Sequence, residues 1–376
     1  MCKLIKQRCR EICPSLIVFL DVEDLTSGYG AESVDSSQCV LIFAMHVYFE
    51  KINCVRELVR AIVRNKPITL LLPDAEVHGE FTQAMVREIV TDVWVEQWKL
   101  GKLLAEWATE WGVAELKEPT AAEMCDALVK QPPLEWSRLT PFQDRTMVLM
   151  CKRLLPEAGC DIFLQGASSF KLPKGHTSVN IYCSRHNPGA TELAEELNAA
   201  FSSNIGVSGR GSRGSQGGTL SKRLSPGIRK ASSSGRFLHV VDELGSSGAG
   251  LKCDHMLVYL NAVTWMHDQE ALAVEIREAQ RLGVHLQLCH EFPSVLDPGS
   301  ARKALNFKQI IDTTPPVLTS GARNIYKQIA ISLKGGELRE VGLAALASKL
   351  VIRVPRAPVN DLVPSEATSL SIEHTV

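Results

Sequence analysis

Apolar residues along this chain fall into short unbroken runs and helical stripes, and the two regimes alternate in the same order twice. In SQCVLIFAMHVYFEKINCVRELVRAIVRNKPITLLLPD, residues 37–74, apolar runs cover 40–44 and 68–72. Neither run alternates with polar residues, which is the pattern of parallel strands covered on both faces. Between them Val55, Leu58, Val59 and Ile62 share one stripe of a helix over 53–64. The stretch predicts a βαβ unit with a right-handed crossover.

The same order returns in CDHMLVYLNAVTWMHDQEALAVEIREAQRLGVHLQLCHE, residues 253–291, with strands over 256–260 and 284–288. Aligning Glu57 with Glu275 also pairs Cys54 with Leu272 and Leu58 with Ile276. The flanks follow suit. IVFLDVEDL (from Ile17) precedes the first stretch and RFLHVVDEL (from Arg236) the second; FQDRTMVLMCKRLLP (from Phe142) follows the first and ARNIYKQIAISLKGG (from Ala322) the second. A repeat of about two hundred residues is too long for a solenoid unit, so the chain reads as two similar domains in tandem.

The remaining pattern fills in each half. A helix over 3–15 turns Leu4, Ile5 and Ile12 inward and feeds a strand over 16–20. The second half opens with a strand over 179–183, then a turn and a helix. The first half shows no such opening strand, so a fragment or truncated product is expected. The segment 79–112 is helical and rich in tryptophan; Trp94 and Trp98, and Trp107 and Trp111, are four apart, so each pair shares a helical face. Core packing is their expected role, with a partner-binding surface as the alternative. A strand over 134–139 and a helix over 142–155 close the first half. The expected layout is a first domain over 1–157, a linker over 158–176, and a second domain over 177–350 with a disordered insertion over 202–236. A disordered tail over 351–376 completes it.

Composition narrows the classes. At 376 residues there is material for two buried cores. A net charge of −1 supplies no global attraction for nucleic acid or an anionic membrane. The insertion is basic, rich in Ser and Gly, and without an acidic residue, the composition of a solvated loop rather than a nucleic-acid face. The 11 cysteines are scattered with no CxxC pair, which argues for a reducing compartment and against a zinc site. No apolar run reaches the roughly 18 residues of a membrane span. Basic residues ahead of the apolar run near Leu16 imitate a leader peptide, but Glu11 and the acidic VEDL that follows fit a strand better. A cytoplasmic protein is the expectation.

Taken together, each half shows an acidic turn after its second strand, an apolar third strand, an aromatic-bearing loop, and a helix with a Cys-x-x-Glu-Leu type motif. This resembles the TIR domain, the flavodoxin-like signalling module of innate immune receptors and adaptors. The matching residues are Val18 to Asp21, Val40 to Phe43, Tyr48 and Cys54 to Leu58 in the first half. In the second they are Ile181 to Arg185, Val241-Asp242, Leu257 to Leu260, Trp265 and Glu275-Ile276, with Leu272 where the family often has Cys. A GxGxxG phosphate loop follows none of the strands, which sets the chain apart from Rossmann dehydrogenases.

The resemblance implies two flavodoxin-like α/β domains with mainly parallel sheets. It implies signalling through contact with other TIR-like domains, in homo- or hetero-oligomers. It also implies an alternative, cleavage of NAD+ at the nicotinamide–ribose bond, with NAD+ as substrate and no cofactor or metal required. Family enzymes use a glutamate on the third helix, the position of Glu275 and Glu57. A carboxylate there stabilises the oxocarbenium-like ribose and orients its hydroxyls. Glu57 has Arg60 three residues on, which predicts a surface ion pair. Glu275 has Ala271, Leu272, Ala279 and Glu278 around it, surroundings expected to raise its pKa. Ser184 and Arg185, with His186 beside them, occupy the loop expected to face this helix, where Arg185 and helix N–H groups suit a pyrophosphate. Trp265 and Tyr48 are candidates to stack a base or nicotinamide ring, with core packing as the competing role.

Overall fold

The structure, a computed structural model, describes residues 1–25, 30–74, 81–155, 178–201, 236–245, 253–296 and 302–352. The expected linker, nearly all of the insertion and the tail beyond Ile352 lie outside these residues.

In the first half the elements run α1 (Cys2–Ile12), β1 (Val40–Phe43), α2 (Ile52–Val63), β2 (Ile68–Pro73), α3 (Gln83–Ile89), α4 (Asp92–Trp98), α5 (Leu100–Trp111), α6 (Ala121–Val129), β3 (Leu134–Trp136) and α7 (Thr140–Leu154). The second half runs β4 (Val179–Cys183), α8 (Ala190–Phe201), β5 (Leu238–Val241), β6 (His255–Leu260), α9 (Gln269–Arg281), β7 (His285–Glu291), α10 (Phe307–Thr313), β8 (Ile331–Leu333) and α11 (Arg339–Leu350). The sheets are parallel throughout, ordered β1-β2-β3 and β5-β4-β6-β7-β8. The second is the 2-1-3-4-5 order of flavodoxin-like doubly wound sheets.

Each sheet is covered on both faces, as its unbroken apolar strands require. Successive residues of β6 point to opposite sides. Leu257 and Tyr259 enter the core shared with Leu193 and Leu197 of α8 and Leu343 and Ala347 of α11. Met256, Val258 and Leu260 enter the other, with Leu272 and Ile276 of α9. In the first half Ile42, Leu70 and Leu72 pack beneath α2 and the tryptophan-bearing helices, whereas Phe43, Leu71 and Trp136 pack against α1 and α7.

Several expectations give way. Residues 16–20 form no strand, and Ile17 is 92% exposed. The reason lies in the second half, where the equivalent strand β5 pairs only with β4. Among the described residues the first half has no counterpart of β4, so 16–20 has nothing to pair with. Leu4 points outward from α1; Cys9 and Lys6 turn inward with Ile5. The tryptophan-rich segment is helical as expected, in three helices over its described residues 81–112. Hydroxyls of Thr82 and Thr91 accept from the backbone N–H groups of Met85 and Trp94 and start α3 and α4. Lys99, at φ 48°, separates α4 from α5. The proposed match of Phe142 onward with Ala322 onward also fails. The first segment is the helix α7, while the second holds short 3-10 turns and β8. By position in its sheet, β8 answers to β3 instead.

The halves share a buried ionic contact that sequence gave no reason to expect. Lys334, just after β8, is fully buried, with Nζ 3.2 Å from Asp74 Oδ2 at the end of β2 and bonded to Glu135 of β3. The Ser137 hydroxyl donates to Asp74 Oδ2 at 2.9 Å and the Ser294 hydroxyl to Glu135 Oε2 at 2.5 Å. Phe142 packs beside it on Leu338 and Val341.

Candidate functional site

The second sheet starts at β4, goes to β5 on one side and then returns to β6 on the other. The chain therefore changes direction between β4 and β6, and in open α/β sheets ligands bind outside the carboxyl ends of the strands at such a point. Two loops meet there, 184–189 after β4 and 261–268 after β6.

Local chemistry fixes the first loop. Ser184 is buried, and its hydroxyl accepts from the His186 backbone N–H at 3.0 Å, closing a tight turn. Asn187 is bonded twice to the backbone of Tyr259, donating to its carbonyl and accepting from its N–H, both at 2.7 Å. Gly189 has φ 88°, and a Cβ there would lie 2.7 Å from the Tyr259 ring, so any side chain would push the loop off β6. The loop thus holds Arg185 and His186 facing α9. On the other side Asp268 caps α9 in the left-handed region at φ 47°, where Asp is better tolerated than most residues.

His186 joins the two sides. Its Nδ1 lies 3.2 Å from Asp268 Oδ2, and its Nε2 accepts from Arg185 Nε at 3.1 Å. That acceptor role puts the imidazole proton on Nδ1, toward Asp268. The same Nε2 is 3.8 Å from Glu275 Oε1. The second carboxylate oxygen of Glu275 is buried and makes no hydrogen bond of good geometry, and the Tyr182 hydroxyl is a donor within reach of the carboxylate. Such a group carries a desolvation cost that a ligand hydroxyl would relieve. Tyr182, on β4, lies close by; burial first, and the Glu275 carboxylate second, push its phenol up to about 12. Glu278 does not crowd Glu275 as expected, because it pairs with Arg281 at 2.5 Å.

Arg185 and Glu275 therefore come together. The remaining candidates serve the fold. Ser184 shapes its loop. Trp265 is 6% exposed and belongs to the core under α9. Tyr48 packs against the first core and donates from its hydroxyl to the Cys54 carbonyl at 3.3 Å. Glu57 stands on α2 near Tyr48, whose phenol is raised by burial and then by Glu57. It has no counterpart of the 184–189 loop among the described residues. Arg60 is not the surface partner expected for Glu57. It is buried, with Nη2 2.7 Å from both Asp35 and Glu110, and its guanidinium lies 4.8 Å from the Trp111 ring centre.

Tyr182, His186 and Asp268 were not singled out as site residues from sequence. His186 follows Arg185 directly, but Asp268 is an unremarked helix cap and Tyr182 reads as a strand residue. The described residues hold no cluster of three or more metal-ligating side chains and no helix long and apolar enough to cross a membrane. Among the described residues ten cysteines form no disulfide, buried Cys183, Cys253 and Cys289 among them. No protein-family model, curated protein or solved structure matches the chain.

Proposed function

We propose that the chain is a cytosolic signalling protein of two TIR-like halves, and that its second half cleaves NAD+ at the nicotinamide–ribose bond. One observation carries this reading. The partly buried Glu275 lies beside the Tyr182 hydroxyl, with Oε1 3.8 Å from the Nε2 of His186, which in turn accepts from Arg185, at the carboxyl ends of β4 and β6. In the proposed reaction the C–N bond to nicotinamide breaks and nicotinamide leaves neutral with the bonding pair. Water then adds to the ribose carbon and releases one proton. Glu275 offsets the positive charge that builds on the ribose and accepts from its hydroxyls. Arg185 supplies a charge for the pyrophosphate. Asp268 holds His186 in place, which keeps the positive edge of the site beside the carboxylate.

A second reading, contact with other TIR-like domains without turnover, draws on the same face. Met266 in the 261–268 loop and Val274 on α9 are 68% and 67% exposed, apolar side chains that such a contact would cover. One experiment separates the two. Nicotinamide release by the full chain is measured at high protein concentration for wild type, Glu275→Gln and Glu57→Gln. The enzyme reading expects turnover that falls at least about 100-fold in Glu275→Gln and less than about twofold in Glu57→Gln. Silence of the wild type when concentrated, with self-association lost in Val274→Asp, supports the contact reading instead.

A further inference from the structure

We infer that the first half binds a small quaternary ammonium ligand in a cavity between the exit of β1 and helix α4. The cavity measures about 150 Å³ and is lined by His46, Phe49, Glu50, Ile89, Trp94 and Trp98 among others. An engineered cavity of about that size in another protein holds a benzene-sized guest.

Its aromatic walls are set at angles to one another. Phe49 and Trp94 lie 6.3 Å apart at 71°, and Trp94 and Trp98 lie 6.3 Å apart at 73°. Trp94 and Trp98, turned across each other, form the corner, and Phe49 stands buried behind them with Phe81 stacked on it and Tyr48 edge-on. The corner is built before any ligand arrives. Trp94 Nε1 donates to the Phe49 carbonyl at 3.0 Å, and Phe49 is buried beneath it. Binding therefore costs little side-chain ordering.

The charge of the lining selects the guest. No Lys or Arg lines the cavity, so an anion finds no counter-charge. Glu50 is exposed and forms no ion pair among the described residues, so its carboxylate is available to a cation. A primary ammonium would arrive with three N–H donors, and the rings of the lining accept none of them, leaving only Glu50, Gln97 and His46. A quaternary ammonium has none, and its methyl groups spread the positive charge over ring faces. Choline-like molecules are the chemical class that fits.

The test is titration of the full chain with choline chloride and with tetramethylammonium chloride, followed by tryptophan fluorescence, with sodium chloride matching the ionic strength. The neutral carbon isostere of choline is the decisive control. The expected result is saturable binding of both cations and at least about tenfold weaker binding of the isostere. Trp98→Ala should weaken choline binding by about tenfold, and Glu50→Gln by several-fold with an unchanged melting curve. Absence of a saturable response, equal binding of the isostere, or unaltered choline binding by Glu50→Gln would each overturn the assignment. Should Trp98→Ala fail to fold, the exposed Glu50→Gln decides alone. Glu275→Gln should leave choline binding intact, so the outcome is independent of any NAD+ cleavage.

Discussion

Helices α2 and α9 occupy the same place in the two halves and carry a glutamate at the same position, yet their surroundings differ. Around Glu275 stand Tyr182, Arg185, His186 and Asp268, all contributed by β4, its loop and the loop before α9. Around Glu57 no matching strand and loop stand among the described residues, and the Tyr48 phenol lies near it. Three residues further on the contrast reverses. Arg60 is buried among Asp35, Glu110 and two tryptophans, whereas its counterpart Glu278 sits on the surface beside Arg281. One helix position is structural in the first half and solvated in the second. A motif on a helix therefore says little about chemistry until the strands that face it are known.

The comparison is broken most forcefully where the halves meet. Lys334→Ala leaves Asp74 and Glu135 buried without their cation, and should cost about 3–5 kcal/mol. If the halves are one cooperative unit, urea unfolding followed separately by tryptophan fluorescence and by circular dichroism shifts together. A first-half transition that stays put would show two independent bodies. Combining Lys334→Met with Asp74→Asn and Glu135→Gln should recover most of that loss, since replaced ion clusters are often neutral in stability.

Next in size is the helix comparison itself. Arg60→Ala should destabilise by about 2–3 kcal/mol, less than for a wholly enclosed pair because Glu110 remains half in water. Arg281→Ala, which removes the partner of the counterpart Glu278, should stay within about 0.5 kcal/mol, as an exposed i,i+3 pair warrants. Chemical denaturation of the two variants tests the claim, and equal effects would erase the distinction.

A smaller effect is expected between about pH 4 and 6.5, where the buried histidines of the second half titrate. His255 and His285 face each other with their Nδ1 atoms 3.0 Å apart, and burial, followed for His255 by its neighbour, lowers both; His255 falls to about 4. A histidine depressed in the folded state binds its proton more readily when unfolded, so stability rises with pH between about 4 and 6.5 and is lost as pH falls through that window. Between pH 6.5 and about 5 the loss from His255 should be about 1.5 kcal/mol. His255→Leu should flatten this slope in pH-dependent unfolding. An unchanged slope would move the sensitivity to His290, also lowered to about 4 by burial.

Most of the fold was legible because apolar runs and stripes report burial directly, and burial is what both sheets share. Strands β1, β2, β4 and β6 lie within a residue or two of their expected bounds. The strand expected over 16–20 failed for a reason no local pattern carries: a strand exists only if another offers it a ladder. Of the site, Glu275 and Arg185 were visible as residue types at family-like positions, but their meeting through His186 was not.

By itself, then, the sequence determined most of the strand and helix segments, that a covered parallel βαβ unit occurs twice, and that both sheets are covered. Those properties depend on side chains a few residues apart. The tertiary structure alone decided which glutamate meets a histidine and an arginine, where Lys334 finds two carboxylates from the other half, and which rings line a cavity. Contacts between residues such as His186 and Glu275 or Asp74 and Lys334 depend on strand order and loop closure. Neither leaves a periodic trace in the chain.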